Sequence, residues 1–398
     1  MCEILMGKDG LYIRIFPDLA FTYASASPPQ EESIRKIIVG RKARQSIMKA
    51  YLILEDGSVY SGESIGAVRD CMCEIVFNTS CVGYVETLSD PSYYGQGVVL
   101  TYPIVGSYGV NLGDMESERI WAKCLIVREL SQAASNFRME ITLSDYLCRY
   151  GVTGIEGIDT RALTKKLRDE GTMAGFITTT HFELDEVVQK LKEYKSKNAV
   201  KAVTSVSTSF IPGGEKKVAV LDLGMRNSLI EELKKRNLDI TVYPATTRAD
   251  EILAKGYDGF VLSNGPGNPC DNEDVIETVK ALYSSDVPML ALEMGHEILA
   301  LATGGKVEKM KHGHRGGNYG VKFKDKNRCY ITSQNHGYVV SEVNEAVAAI
   351  SHTNINDGTI EGVEYKGKKI ISVQFTPSHE TDFIFDEFVT MMGGKENA

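Results

Sequence analysis

Past residue 215 short apolar runs recur along the chain: VAVLDL (218–223), DITVYP (239–244), GFVLSN (259–264) and PMLAL (288–292), then YITSQ (330–334), IEGVEY (360–365) and IISVQF (370–375). Runs this short, bounded by turn residues, predict buried strands. Between them, NSLIEELKKRN (227–237), NEDVIETVKALYSS (272–285) and HEILALATGG (296–305) repeat their apolar residues at the helical period. Alternating strands and helices predict a doubly wound α/β domain over 216–394, a parallel sheet with helices on both faces. Upstream the pattern differs. KAYLILEDGSVYSGESIG (49–66) predicts a strand, an Asp-Gly turn and a second strand. A mixed β-rich domain is expected over 48–205, with helical pieces at SERIWAKCLIVREL (117–130) and TRALTKKLRDEG (160–171) and a charged helix near 183–196. Pro212-Gly213-Gly214 marks a linker over 206–215. Residues 1–47 read as an extension or an over-called start. The alternative is an added helix and strand packed on the first domain.

Composition narrows the function classes. At 398 residues each domain is long enough to bury a core. A net charge of −9 argues against a nucleic-acid binder, which would normally show a basic face. No apolar run nears the ~20 residues of a membrane helix, so no membrane partner is expected. No signal-peptide core is present, and eight scattered cysteines suit a reducing, cytoplasmic setting. Cys71-x-Cys73 lacks a second pair, so no metal site is expected.

The chemistry should lie beyond the carboxyl ends of the strands. SNGPGNP (263–269) follows one strand, and its glycines let backbone N–H groups approach a developing oxyanion. PMLALEMGHEILALATGG (288–305) reads as strand, tight turn and helix, an elbow that projects one strained side chain. Its apex is Glu293, with the helix opening at Gly295. A carboxylate is a poor nucleophile for an amide carbon. IISVQF then leads into TPSHETDFIFDEF (376–388).

These three landmarks, in this order, resemble the class I glutamine amidotransferases. FNTSCVGYVETLSDPSYYGQGVVLTYPIVGSYGVN (77–111), ASNFR (134–138), GIDTRALTKKLRDEGTMAG (157–175), GHRGGN (313–318) and SQNHGYVV (333–340) narrow the match to the carbamoyl-phosphate synthase small chain, over about 48–390. The resemblance implies a Cys–His–Glu triad feeding ammonia to a large chain that uses ATP and Mg²⁺, with no cofactor in this chain. It also implies that Glu293 stands at the cysteine position, Thr376 at the histidine and Ser378 at the glutamate. The following loop is about five residues shorter than usual. By the same resemblance, Ser92, Gly265, Gly267, Met294, Glu297, Asn335, Gly337 and Tyr338 are the substrate-binding positions; Glu297 replaces a glutamine, Met294 a leucine and Tyr338 a phenylalanine. His379 and Cys270 are weighed as displaced catalytic groups, against loop-end and packing roles, and His296 as a core companion of the elbow. His312, His314 and His336 are expected to be structural. Three readings remain open: a small chain with an inactive glutaminase site supporting ammonia-dependent synthesis, a non-catalytic module sensing glutamine or a related amino acid, and an active glutaminase using relocated residues.

Overall fold

A computed structural model of the chain describes residues 48–393 and an antiparallel strand pair, Cys2–Gly7 with Gly10–Ile15. Most of the expected extension, and residue 394, lie outside the described residues. Residues from Met48 onward form one compact unit.

Seven strands close into a barrel: β1 (Lys49–Leu54), β2 (Val59–Gly66), β3 (Cys71–Asn78), β4 (Gln96–Leu100), β5 (Cys124–Ile126), β6 (Thr153–Glu156) and β7 (Met173–Thr178). Their order is β6-β2-β1-β7-β3-β4-β5, and β5 pairs back to β6 in parallel. Leu52, Leu54, Ile75, Val99, Ile126, Ile155 and Ile177 fill its interior, with Leu163 and Leu167 of α1 (Thr160–Glu170). The charged helix α2 (Leu184–Glu193) covers Ile53 and Ala174 with Val187 and Leu191.

No helix forms over 117–130. Ile120, Ala122 and Cys124 are buried while Trp121 and Lys123 are half-buried, the period of a strand, and β5 is buried on both faces between β4 and β6.

The second domain carries ten strands: β8 (Ser209–Ile211), β9 (Lys217–Asp222), β10 (Asp239–Pro244), β11 (Gly259–Leu262), β12 (Met289–Leu292), β13 (Lys306–Phe323), β14 (Arg328–Glu342), β15 (Ala348–Asn354), β16 (Ile360–Tyr365) and β17 (Ile370–Val373). Their order is β8-β10-β9-β11-β12-β17-β16-β15-β13-β14. The sheet is mixed rather than wholly parallel. Strands β10, β9, β11, β12 and β17 run parallel, β8 joins one edge antiparallel, and β16, β15, β13 and β14 extend the other in antiparallel fashion.

Alternate residues of β9 face opposite layers. Ala219 and Leu221 meet α5 (Glu273–Tyr283) and α6 (Met294–Ala302), while Val218 and Val220 meet α4 (Asn227–Lys235) and α7 (Phe383–Met391). Val200, from α3 (Ala199–Val203), also packs into the first of these cores. The chain between the domains is therefore built into the second one, through α3 and the edge strand β8.

Main-chain bonds join the barrel domain to this second domain. Thr172 N donates to Lys311 O at 2.9 Å, Thr79 N to Arg315 O at 3.1 Å and Asn227 N to Glu116 O at 2.8 Å. The barrel segment Asp90–Ser92 is thereby held over the carboxyl ends of β9, β11 and β12. Among the described residues no helix is long and apolar enough to cross a membrane.

Candidate functional site

A cleft of about 460 Å³ opens between the domains. Ser92 lines it from the barrel, Gly265 and Gly267 from the loop after β11, and Met294 and Glu297 from α6. Asn335, Gly337 and Tyr338 of β14 complete it, with Glu293. All eight substrate-binding candidates thus converge on one cavity. Thr376 and Ser378 do not line it. They face a second cleft of about 500 Å³ with Asp90, Arg226 and His379. Glu293 forms the partition, since Thr376 Oγ1 donates to its Oε1 at 2.6 Å.

The elbow is a strained turn. Glu293 has φ 49° and ψ −110°, a conformation costing about 1–3 kcal/mol in a non-glycine residue. Surrounding bonds hold it: Glu293 N donates to Val373 O and Gly295 N to Ser263 O, each at 3.0 Å. The helix opens at Met294, one residue before the expected Gly295. Gly295 instead permits close packing, because a Cβ there would lie 2.5 Å from Leu262 O.

The apex carboxylate is tied down. Arg226, at the start of α4, donates through Nη2 to Glu293 Oε1 and through Nη1 to Asp90 Oδ2, the latter at 3.4 Å. All three residues are buried. Asn335 Nδ2 also donates to Asp90 Oδ2, at 2.9 Å, and Asn264 Nδ2 to Ser92 Oγ, at 2.9 Å. Burial pushes the Glu293 carboxyl up against the opposing pull of Arg226. Burial works against the Arg226 charge, yet Glu293 and Asp90 hold its guanidinium above the ordinary range. Glu293 Oε2 is buried without a hydrogen-bond partner.

No imidazole stands ready to shuttle a proton beside Glu293. His296 is fully buried against Ser372 Oγ at 2.7 Å, and burial pulls it down to about 3. His336 lines the cleft but is held well below its ordinary value by burial, with its nitrogens on Tyr338 O and Gln334 Oε1. His312 is lowered by burial too, and stacks on Phe77. His314 bonds Gln334 and Asp357 away from the elbow. His379 lies across the partition and makes no side-chain hydrogen bond among the described residues. Cys270 is exposed in a 3₁₀ turn and does not line the cleft.

Residues 52–177 match the family described as carbamoyl-phosphate synthase small chain, CPSase domain, and residues 219–390 match glutamine amidotransferase class-I. The chain is 44% identical over 347 residues to the carbamoyl phosphate synthase small chain of Clostridium perfringens, covering 86% of this chain and 99% of that one. It belongs to the carbamoyl-phosphate synthase small-chain family. It is likewise 42% identical over 353 residues to the small chain of Clostridium acetobutylicum, covering 86% and 100% of the two. With the pyrimidine-specific small chain of Bacillus subtilis it shares 40% identity over 351 residues, 87% and 96% of the two chains.

Sequence reasoning missed two charged members of this small-chain site, Asp90 and Arg226. Arg226 had a usable signal, since it follows the first strand of the α/β domain at the carboxyl end where ligands gather. Asp90 had none, because only the fold brings the barrel against that sheet edge.

Glu297 carries a pH dependence of its own. Burial pushes its carboxyl up to about 8, although Gln374 Nε2 donates to its Oε1 at 2.9 Å. Below that pH it is an uncharged acid, close in shape and polarity to a glutamine amide. An unfolded glutamate ionises near 4.5, so this group's contribution to stability falls as pH rises from there to about 8. Glu297→Gln should remove the slope. The variant's gain over the parent in urea unfolding should grow across that window, reaching roughly 2–5 kcal/mol at its upper end. A gain independent of pH would refute the burial of an ionisable group here.

Proposed function

We propose that this chain is the small subunit of a carbamoyl-phosphate synthase and that its own glutaminase half is inactive. The large partner would then use free ammonia, with ATP, Mg²⁺ and bicarbonate. One observation carries the reading: the elbow apex is a carboxylate already engaged by Arg226 and Thr376. It offers no thiol to attack an amide carbon, and Thr376 cannot serve as the proton shuttle that a cysteine would need. Retention of the barrel domain supports a continuing role beside the large chain, as scaffold, conformational regulator or cap on an ammonia path.

The two chains, co-expressed and purified together, should form carbamoyl phosphate from an ammonium salt and none above background from glutamine. Equal rates from both donors would overturn the inactive-site reading. Failure to co-purify would overturn the subunit assignment.

One observation favours a second reading, an amino-acid sensor. The cleft persists, and Glu297, one of the acids lining it, is uncharged near neutrality, so it does not repel a substrate carboxylate. Calorimetry with glutamine and glutamate separates the two, because a pure scaffold gives no saturable heat.

A further inference from the structure

The barrel interior holds a second cluster of chemically capable groups, remote from the elbow. Cys71 and Cys73 project from the same face of β3, and Cys124 projects from β5. Their three sulfurs all lie within 4.8 Å of one another, and all three residues are buried. The Cys73 and Cys124 sulfurs are 3.5 Å apart. Strand β4 runs between β3 and β5, so a side chain from β4 would ordinarily separate these thiols. The residue at that point is Gly97, where an added Cβ would sit 2.4 Å from Cys124 Sγ and 2.6 Å from Cys73 Sγ. Glycine is what lets the three thiols meet. The pair Cys71-x-Cys73 looked too sparse for a metal because the third ligand comes from a strand 51 residues further along.

We propose that Cys71, Cys73 and Cys124 form a coordination site for a soft d¹⁰ cation, with Cu(I) its best match. Thiolates select such ions. A cation about 2.3 Å from each of three sulfurs spaces those sulfurs about 4 Å apart, which falls inside the observed range. Three-coordination completes Cu(I), whereas zinc takes four ligands. The Lys123 carbonyl oxygen beside them already accepts from Cys71 Sγ at 3.3 Å.

A Cys73–Cys124 disulfide does not compete. With β4 between their strands, and neighbouring strands about 4.8 Å apart, the two Cα atoms stand about 9 Å apart, beyond the ~7 Å that a disulfide spans. Of the three, Cys71, the first residue of β3, keeps 6% exposure, and Cys73 and Cys124 keep none. Binding displaces thiol protons to solvent and changes no oxidation state. The competing role is plain packing, since buried cysteines commonly act as small apolar fillers.

The test uses the full chain, reduced and anaerobic, titrated with Cu(I) against a chromophoric Cu(I) chelator. A background variant with Cys2, Cys81, Cys148, Cys270 and Cys329 changed to serine removes the other thiols. This background should hold about one equivalent of Cu(I), develop the near-ultraviolet thiolate-to-copper absorption and melt at higher temperature when loaded. Adding Cys73→Ala or, closer in volume, Cys124→Val should weaken retention by roughly 100-fold or more, with the far-ultraviolet circular dichroism unchanged. Should either core variant misfold, Cys71→Ser at the barrel mouth gives the same readout. No Cu(I) retained by the background variant would overturn the proposal, as would retention that survives loss of two of the three cysteines. Tighter retention of Zn²⁺ than of Cu(I) would overturn the assignment of the cation.

Discussion

Glu293→Cys alone will leave glutamine hydrolysis at the level of a no-enzyme control. The substitution returns a thiol to the strained elbow, and the Arg226 guanidinium beside it favours a thiolate. A thiolate is not sufficient. The departing ammonia must take a proton, and no titratable imidazole touches the elbow. Thr376, 2.6 Å from the present carboxylate, can donate a hydrogen bond but cannot hold and return a proton across the reaction. In subtilisin, loss of nucleophile or base alone costs about 10⁶ in turnover, and oxyanion-hole donors do not recover it. Glutamate release by the purified variant, with and without its large partner, is the measurement. A rate typical of intact relatives would show that a base already exists in this cleft and that Thr376 does not hold the histidine position.

The same geometry predicts how repair must proceed. Thr376→His and Ser378→Glu supply the missing groups, but Ser378 is engaged in a capping box with Thr381. Ser378 N donates to Thr381 Oγ1 at 3.0 Å, and Thr381 N returns a bond to Ser378 O at 2.9 Å. This tight 3₁₀ turn, with His379 at φ 44°, is how the short loop closes. These bonds use main-chain atoms of Ser378, so a glutamate at 378 would inherit this tight turn rather than the path of a longer loop. Misplacement by about 1 Å can cost a hundredfold. Recovery should therefore need both groups, Glu293→Cys, Glu297→Gln and a longer loop after Phe375 together.

Legibility from sequence followed local patterning. DITVYP and IEGVEY are strands over the residues expected, because short buried runs with turn residues at each end leave little choice. The elbow was readable from its composition alone. Lys306–Phe323 was not, since KMKHGHRGGNYG has no alternation. Its strand exists through pairing with β14, and register shifts between Lys309 and His314 and between Gly316 and Tyr319 absorb the irregularity. The segment 117–130 failed for the opposite reason: its apolar positions suit both periods, and only burial between β4 and β6 selects the strand. The eight candidate positions share one cleft, whereas Thr376 and Ser378 face the other side of Glu293. The ion cluster that blocks the apex depends on contacts between domains, which no local pattern encodes.

Arg226→Met should strongly destabilise the fold around the elbow. Arg226 is the buried cation facing both Glu293 and Asp90, and a methionine fills similar volume without charge. Removing one partner of a buried ion pair costs about 3–5 kcal/mol, because the remaining charge stays desolvated. The loss should depend on pH with a definite sign. Burial already pushes Glu293 up, and without the guanidinium nothing offsets it except the hydroxyl of Thr376. The variant's folded state then keeps a proton that its unfolded state releases above about 4.5, so its deficit widens as pH rises through that value. Urea midpoints at mildly acidic and mildly alkaline pH should differ accordingly. Adding Glu293→Gln to Arg226→Met should recover part of the loss, since the second change removes the stranded charge, with a coupling of up to about 3 kcal/mol. A deficit below about 1 kcal/mol, or one equal at both pH values, would mean that water reaches this cluster and that Glu293 is not sealed against the reactive face of the cleft.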